Sequence, residues 1–506
     1  MAKVLNSLAA VVFVASAATA TVAAATSSGG VPRWWSPGDG EALPASATYE
    51  NAFGALTVLN ADGAVDTNGH PFFEPIGSNG RACVTCHQPS DGMSLSIDSI
   101  RERWKTTKGA DPLFAAIDGS NCPNLPQGKR SSHSLLLNHG LFRMFQAWPP
   151  LGPDAKPIEP EFTIEVVEDP TGCNLDPVYG LHSENPMISV YRRPRVVGNL
   201  KYVTAVDRIA KPFEVKAGEL LGVDPETGQR VSMNMMADSR EPTLQSQARS
   251  AAANHLQLHG GLTPDQLDAI INFENQVFVA QSFDRKAGDL TKPDGPPGLG
   301  PLAMQRSEAG VIANGAQQHL FGSFAAWSAK PGQKLDKAAA HKASISRGAE
   351  LFQTRAIWIK DVYNFNTLGV GNPQKRSCVG CHNMSMTGMD IAPGYMDLGT
   401  TNLPHSEATK ELPLFKLTCS PKAQPHPYLG RVIYTRDPGR ALVTGRCREI
   451  GAITMQQFRG LAGRAPYFSN GSAATLREVI EVYDRRFEMK LTEQEIQDLT
   501  NFMSVL

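Results

Sequence analysis

The sequence predicts a mainly α-helical protein of two domains, the first enlarged by loop-rich insertions. Three observations predict this fold. A pentapeptide of the form Cys-x-x-Cys-His occurs at residues 83–87 and again at 378–382, helix-capping patterns precede apolar repeats, and a Pro/Gly-rich stretch at 286–301 separates the halves. The length of 506 residues suits two or three domains.

Each pentapeptide is the covalent attachment signature of c-type haem. The two thiols of a motif add across the vinyl groups of one haem, and the histidine that follows becomes the proximal iron ligand. The predicted attachment residues are Cys83, Cys86, Cys378 and Cys381. The predicted iron ligands are His87 and His382. The sequence therefore predicts two cytochrome c-like domains with two covalently bound haems.

The N-terminus has the pattern of a secretory signal peptide over residues 1–25: one lysine, a short apolar stretch and a small-residue site. Cleavage is predicted after Ala25, with residues 18–20 as a second site. An uncleaved membrane anchor is the alternative, but the apolar run is rich in alanine and ends in a cleavage-type site. No later run approaches the length of a membrane span. We therefore expect a periplasmic protein with no membrane span after cleavage.

Four of the eight cysteines lie outside the motifs. An exported protein with an even remainder usually pairs them in disulfides. The local pairings join Cys122 to Cys173 and Cys419 to Cys447, although three connectivities are open on the sequence alone. A metal site is disfavoured because none of these cysteines has another ligand at close spacing.

The domain organisation follows from composition. Residues 26–48 are rich in Gly, Ser and Pro and are expected to form a flexible, exposed lead-in. Residues 49–300 are assigned to the enlarged N-terminal haem domain, 301–340 to a linker, and 341–506 to the C-terminal haem domain.

Four helices are predicted from caps and periodicity. One covers 263–282, where Thr263 is the cap and a proline follows at the first helical position. A second begins near His341. Two capping boxes, at Thr475 and Thr492, begin the last two helices, and Tyr483 falls on the apolar face of the first of these.

Residues 458–476 carry the most family-specific pattern in the chain, which includes Ala-Pro-Tyr-Phe at 465–468. This segment resembles the C-terminal domain of bacterial di-haem cytochrome c peroxidases and MauG-like enzymes. The resemblance implies that the haem on His87 reacts with peroxide or oxygen and that the haem on His382 relays electrons. It also implies that Arg459 lies near a haem propionate. The separation of the two motifs exceeds that in simple family peroxidases, which implies an enlarged first domain.

The resemblance places the second axial ligand of the relay haem at Tyr483. A tyrosinate ligand is anionic and favours oxidised iron, in contrast to the methionine of the peroxidases. A core tyrosine on an apolar helix face is the alternative interpretation. The other ligand candidates follow the second motif: Met384, Met386, Met389 and Met396.

The chain departs from the family pattern at three places. Ser469 replaces the histidine after Ala-Pro-Tyr-Phe, and residues 237–240 read Ala-Asp-Ser-Arg where the family has Trp-Asp-Gly-Arg. The family's distal glutamate is also missing. Peroxide chemistry needs a group that moves a proton between oxygens, and His255 is the predicted catalytic acid/base, with His259 as the weaker alternative. A histidine with a purely structural role is about as compatible with the sequence.

In the resting peroxidases that the chain resembles, a distal histidine a short way along the chain closes the reactive haem. No histidine lies between His87 and His133, so the resemblance implies an open haem at His87. The function predicted is a periplasmic di-haem oxidoreductase that uses peroxide or oxygen. Its expected partner is a small redox protein, a cytochrome c or a cupredoxin, or a dehydrogenase. The alternative is a non-catalytic di-haem electron carrier. The net charge of −1 gives no reason to expect nucleic acid, and no ligand cluster supports the calcium found in relatives.

Overall fold

The structure, a computed structural model, describes residues 30–152, 154–204, 234–307, 323–362, 371–382, 387–388 and 395–506. The predicted signal peptide at 1–25 lies outside the described residues.

The described residues form helices in both halves of the chain. In chain order they are α1 (Ile97–Thr107), α2 (Ala116–Gly119), α3 (Ser134–His139), α4 (Leu200–Val203), α5 (Leu244–His255), α6 (Pro264–Gln276), α7 (Pro301–Arg306), α8 (Lys337–Thr354), α9 (Ala441–Thr444), α10 (Leu476–Phe487) and α11 (Glu493–Ser504).

Strands occur in both halves of the chain. In order they are β1 (Ser46–Glu50), β2 (Gly54–Asn60), β3 (Phe142–Ala147), β4 (Phe162–Glu168), β5 (Met187–Arg192), β6 (Val277–Asp284), β7 (Gly288–Asp289), β8 (Ile357–Ile359), β9 (Gln374–Arg376), β10 (Tyr395–Met396), β11 (Leu414–Cys419), β12 (Val432–Thr435) and β13 (Ile453–Thr454).

The prediction of a mainly α fold of two cytochrome c-like domains is wrong. The structure is 31% helical and 18% strand, with several sheets. The prediction was made from the haem motifs and the helix caps, which indicate helices. The insertions instead contain alternating apolar and polar residues, which indicate strands. Strand β4, Phe-Thr-Ile-Glu-Val-Val-Glu, is an example: its first four residues alternate between buried and exposed, as expected for a half-buried strand.

The helix predicted at 263–282 begins correctly and ends early. Thr263 caps it and Pro264 occupies its first turn, but α6 ends at Gln276 and the chain continues directly as β6. Pairing of β6 with β2 across the sheet decides this change, because tertiary strand pairing overrides a short apolar run. The other three predicted helices are confirmed as α8, α10 and α11.

The two halves of the chain share a sheet. Its strand order is β12-β11-β4, and Ile164 of the first half pairs in antiparallel register with Leu417 of the second. A larger antiparallel sheet, with order β1-β2-β6-β7, lies in the first half. At its β6 strand, the amide of Gln281 donates to the carbonyl of Leu506. Backbone hydrogen bonds therefore join the two halves of the chain at several places.

Two hydrophobic cores support the motifs. In the first, α6 residues such as Ile270 pack with the β2 and β6 strands, and Trp35 and Leu43 from the 26–48 segment are buried there. In the second, α8 packs against α11. Gly348 allows this close approach, because a Cβ at that position would lie 2.0 Å from the Asp498 carbonyl oxygen.

The two local disulfide pairings are confirmed, since Cys122 is bonded to Cys173 and Cys419 to Cys447. Within the described ranges, no helix is both long enough and apolar enough to cross a bilayer.

Candidate functional site

The two Cys-x-x-Cys-His motifs have the same local conformation. Each begins on a single 3-10 turn, Cys83–Thr85 in the first motif and Cys378–Gly380 in the second. In both, the amide of the motif histidine donates to the carbonyl of the first cysteine, at 3.1 Å in the first motif and 2.9 Å in the second. None of the four motif cysteines is in a disulfide. Each turn thus presents two thiols and one imidazole together.

Both motif histidines are also held in the same orientation. Nδ1 of His87 donates to the Met93 carbonyl at 3.4 Å, and Nδ1 of His382 donates to the Gly388 carbonyl at 2.9 Å. Burial lowers the pKa of each imidazole to about 4, so both are neutral at pH 7. A neutral imidazole that donates from Nδ1 keeps its Nε2 lone pair for a metal.

The second motif faces a mostly apolar cavity, here called the C-terminal cavity. The ring of Phe458 lies 4.5 Å from the His382 ring between centroids, and the ring of Tyr483 lies 6.2 Å from it. Met396 also lines this cavity. Burial, and then the neighbouring Cys381 thiol, raises the pKa of Tyr483 well above its ordinary value. The structure therefore brings Tyr483 and His382 into one cavity.

The first motif faces a second cavity, here called the N-terminal cavity, which contains acid/base groups. His255, Asp118 and Glu274 line it together with Cys83, Cys86 and His87. Nδ1 of His255 donates to Oδ2 of Asp118 at 2.7 Å. By contrast, no carboxylate is among the described residues that line the C-terminal cavity. The chemistry available at the two motifs therefore differs.

Glu274 is a site residue that the sequence reasoning missed. Its side chain is only 3% exposed, and burial raises its pKa from 4.5 to about 8. Its Oε2 atom has no hydrogen-bond partner among the residues described. A signal was present in the sequence: Glu274 follows Leu267, Ile270 and Ile271 on the buried stripe of α6, where a lone carboxylate is unusual.

The two cavities share a wall. Four residues line both of them: Arg193, Pro194, Gln456 and Gln457. The Gln457 side chain is fixed in that wall, because its amide donates to the Gly198 carbonyl at 2.8 Å and its oxygen accepts from Asn199 at 2.9 Å. The sites are therefore adjacent, although the tryptophan of the family pattern is replaced by Ala237, which lines the N-terminal cavity.

Buried arginines surround this wall. Arg195 lines the N-terminal cavity, Arg464 lines the C-terminal cavity, and Arg193 lines both. Burial lowers the pKa of each guanidinium to about 10, and the charge of Arg464 adds to the effect at the other two. In the described structure, Nη1 of Arg193 and Nε of Arg464 have no hydrogen-bond partner. The protein therefore supplies too little negative charge to balance these cations. An anionic group bound in the cavities would supply the missing charge.

A c-type haem matches this set of residues. It needs two thiols and one neutral imidazole from a single turn, and its propionates need cationic donors. In each cavity the motif supplies the thiols and the imidazole. Arg193 is a cationic donor in both cavities, Arg195 in the N-terminal cavity and Arg464 in the C-terminal cavity. The side chains present in both cavities fit a covalently attached haem.

The structure places the remaining predicted residues as follows. Arg459 is fully buried but is not among the residues that line either cavity. His259 is exposed and lies outside the N-terminal cavity. The ligand candidates that lie outside the described residues are Met384, Met386 and Met389.

Ser469 and the segment 237–240, where the chain departs from the family pattern, both have structural partners. Ser469 lines the C-terminal cavity, and its carbonyl accepts from the Arg193 amide at 2.9 Å. Asp238 is fully buried and forms ion pairs with Arg192 at 2.6 Å and with Arg240 at 3.0 Å. Ser469 therefore contributes to the wall of the C-terminal cavity, and Ala237 and Arg240, from the same segment as Asp238, line the N-terminal cavity.

A separate cation site, such as one for calcium, receives no support. Over the described residues, no group of three or more His, Cys, Asp or Glu side chains is arranged to hold a metal ion.

Comparison with known proteins assigns no family. No protein-family model and no curated protein matches the chain. Among solved structures, the chain is similar to one from Kuenenia stuttgartiensis hydrazine synthase, determined under 20 bar of xenon. That similarity has 13% sequence identity and a TM-score of 0.27, and it covers 81% of this chain and 93% of the other. A TM-score this low does not show a shared fold.

Proposed function

We propose that this chain is a periplasmic di-haem c-type oxidoreductase that activates peroxide or oxygen in the N-terminal cavity and relays electrons through the C-terminal cavity. The observation that carries the proposal is the repeated geometry of the two motifs. Both present two thiols and a Nδ1-donating histidine to a cavity, and the two cavities share a wall.

The contrast between the cavities supports the division of roles. When bound, haem supplies the redox centre that reacts with peroxide or oxygen or stores an electron. In the N-terminal cavity, His255 is positioned to take a proton from the entering oxidant and to return it to the departing oxygen. In the C-terminal cavity, Tyr483 offers a hydroxyl near His382, while apolar side chains limit the entry of water.

The haem content tests the first part of the proposal. Denaturing mass spectrometry of the mature protein should find two haems, because thioether bonds survive unfolding. Replacing both cysteines of one motif, Cys83 and Cys86 or Cys378 and Cys381, by alanine should remove one haem each time. Fewer than two haems on the wild-type chain would overturn the proposal.

The spin state and peroxide reactivity test the catalytic part. We expect one high-spin haem that reacts with hydrogen peroxide, and His255→Gln should slow this reaction by about 10²-fold or more. His259→Gln is the matched control, since that histidine is exposed and outside the cavity. Two low-spin haems that are inert to peroxide would instead favour the electron carrier, for which the missing inter-haem tryptophan is the supporting observation.

A further inference from the structure

The side chain of Asp118 connects the first haem motif to His255. Asp118 lies on the short helix α2 and its side chain is 2% exposed. Its Oδ1 atom is ion-paired with Nη1 of Arg81, and its Oδ2 atom accepts from Nδ1 of His255 at 2.7 Å. Both residues line the N-terminal cavity. One buried carboxylate therefore has its two oxygens committed to two different partners.

Arg81 holds that carboxylate in place. It lies two residues before Cys83, and its side chain is 1% exposed. Its Nε atom donates to the Pro112 carbonyl at 2.7 Å and its Nη2 atom to the Leu113 carbonyl at 2.8 Å. These bonds fix the guanidinium. Burial alone would raise the pKa of Asp118, but the Arg81 charge and the contact with His255 outweigh it and lower that pKa, so the group is a carboxylate at neutral pH.

The backbone around His255 is attached to the same region. The carbonyl of His255 accepts from Nδ2 of Asn79 at 2.8 Å. The end of α5 is thus fastened to the turn that leads into the first motif. Nη1 of Arg81 also donates to the His255 carbonyl at 3.4 Å. The position of the imidazole is therefore set by these backbone contacts and by the contact of Nδ1 with Asp118.

We propose that Asp118 is a positioning residue that fixes the tautomer of His255, so that Nε2 serves as the proton acceptor in the N-terminal cavity. A carboxylate can only accept a hydrogen bond, so Nδ1 of His255 must carry a proton, and in the neutral imidazole the lone pair is then on Nε2. This inference rests on the proposed function and adds a residue that neither the motif nor the family pattern assigns.

Hydrogen cyanide is a probe that does not depend on turnover. It enters as a neutral acid and binds ferric haem as an anion, so its proton passes to a base in the cavity as the carbon–iron bond forms. Nε2 of His255 is that base in the wild-type chain. The readout is the rate of the Soret band shift in the haem-loaded protein, followed by stopped-flow spectroscopy.

Asp118→Asn reverses the tautomer. The asparagine oxygen must face the Arg81 guanidinium, which can only donate, so its NH₂ group faces His255 and Nδ1 becomes an acceptor. We expect cyanide to associate about 10²-fold more slowly with Asp118→Asn, and equally slowly with His255→Gln. The double variant that carries both substitutions should be no slower than either single variant. His259→Gln should bind at the wild-type rate. A folded, haem-loaded Asp118→Asn protein with wild-type kinetics, or losses that multiply in the double variant, would overturn the inference.

Asp118→Glu keeps a negative charge beside Arg81 and serves if the asparagine variant does not fold. The longer side chain displaces the carboxylate from Nδ1, so association should slow by about 10-fold, and a wild-type rate would again refute the positioning role. Failure of the wild-type protein to bind cyanide overturns the proposed function itself and the inference with it. Cyanide binding that is normal in the wild type and in both Asp118 variants overturns only the role of Asp118.

Discussion

Neutralising Arg464 should have opposite effects on the stability of the haem-free and haem-loaded chains. Burial lowers the pKa of this guanidinium from its ordinary value to about 10, and 7% of the residue is exposed. This lowering is equivalent to about 3 kcal/mol, which is the cost of keeping the charge buried without enough counter-charge. The folded-state pKa is the lower one, so this cost is fully present at neutral pH and disappears only as the pH rises from about 10 to above the ordinary pKa of arginine.

In the haem-free chain, Arg464→Gln removes that cost. The variant also weakens the hydrogen bond from Nη2 to the Gln457 carbonyl, which is worth about 1 kcal/mol. The net expectation is a stabilisation of about 2 kcal/mol. In the haem-loaded chain, the same substitution removes a charge-assisted hydrogen bond to a propionate, so a destabilisation of about 2 kcal/mol is expected.

Urea unfolding followed by circular dichroism measures both values. The haem-free form is made by replacing the four motif cysteines with alanine. Arg485→Gln is the control, because that arginine lies on α10 with 56% of its side chain exposed and pairs with Glu407 at the surface, where substitutions change stability by about 0.5 kcal/mol or less. A destabilisation of equal size in both forms would refute the assignment of Arg464 to an anionic group of the cofactor.

Three other predictions concern separate features. Tyr483→Met should raise the reduction potential of the relay haem and introduce a methionine-to-iron charge-transfer band; an unchanged spectrum and potential would count against Tyr483 as a ligand. Glu274 has a folded-state pKa of about 8 against 4.5, so the stability of the protein should fall by up to about 5 kcal/mol as the pH rises through that window. Glu274→Gln should flatten this dependence in urea unfolding at pH 5 and pH 9, and an identical slope in the variant would contradict the buried position. Replacing Cys122 and Cys173 by serine opens a bridge across 51 residues and should cost about 4 kcal/mol of unfolding free energy, whereas no change in the urea midpoint would mean that the bridge does not form.

The local features were predictable because their signals are local. Thr263, Thr475 and Thr492 cap helices as expected, and each accepts a hydrogen bond from the amide three residues later. The disulfides also followed the shortest spacing. These interactions are formed by residues close in sequence, or, for the cysteines, by a chemistry with few alternatives.

The error in fold class has a different origin. The residues 277–278 continue the apolar pattern of α6, yet they begin strand β6 because β2 provides a hydrogen-bonding partner from far earlier in the chain. Likewise β4 pairs with β11, although paired residues such as Ile164 and Leu417 lie about half of the chain length apart in sequence. A pattern of apolar residues does not specify its partner strand, so strands of this kind are poorly visible in one sequence.

In the candidate site too, some residues were predictable from local sequence and others depended on tertiary contacts. The motif spacing predicted Cys83, Cys86, His87 and their counterparts, and the resemblance to a family pattern led to the prediction of His255. Asp118 was not found, because it lies 137 residues before His255 and only folding brings the two together. The sequence reasoning did not identify Arg464, which lines the C-terminal cavity, whereas the predicted Arg459 lines neither cavity.

The sequence by itself determined the two Cys-x-x-Cys-His motifs, the helix caps and the cysteines available for disulfides, because each depends on residue type and short spacing. Only the tertiary structure decided which strands pair, which arginines lie between the cavities and which carboxylate holds His255. Those contacts join distant parts of the chain, and their formation depends on the summed burial of both cores and not on any local pattern.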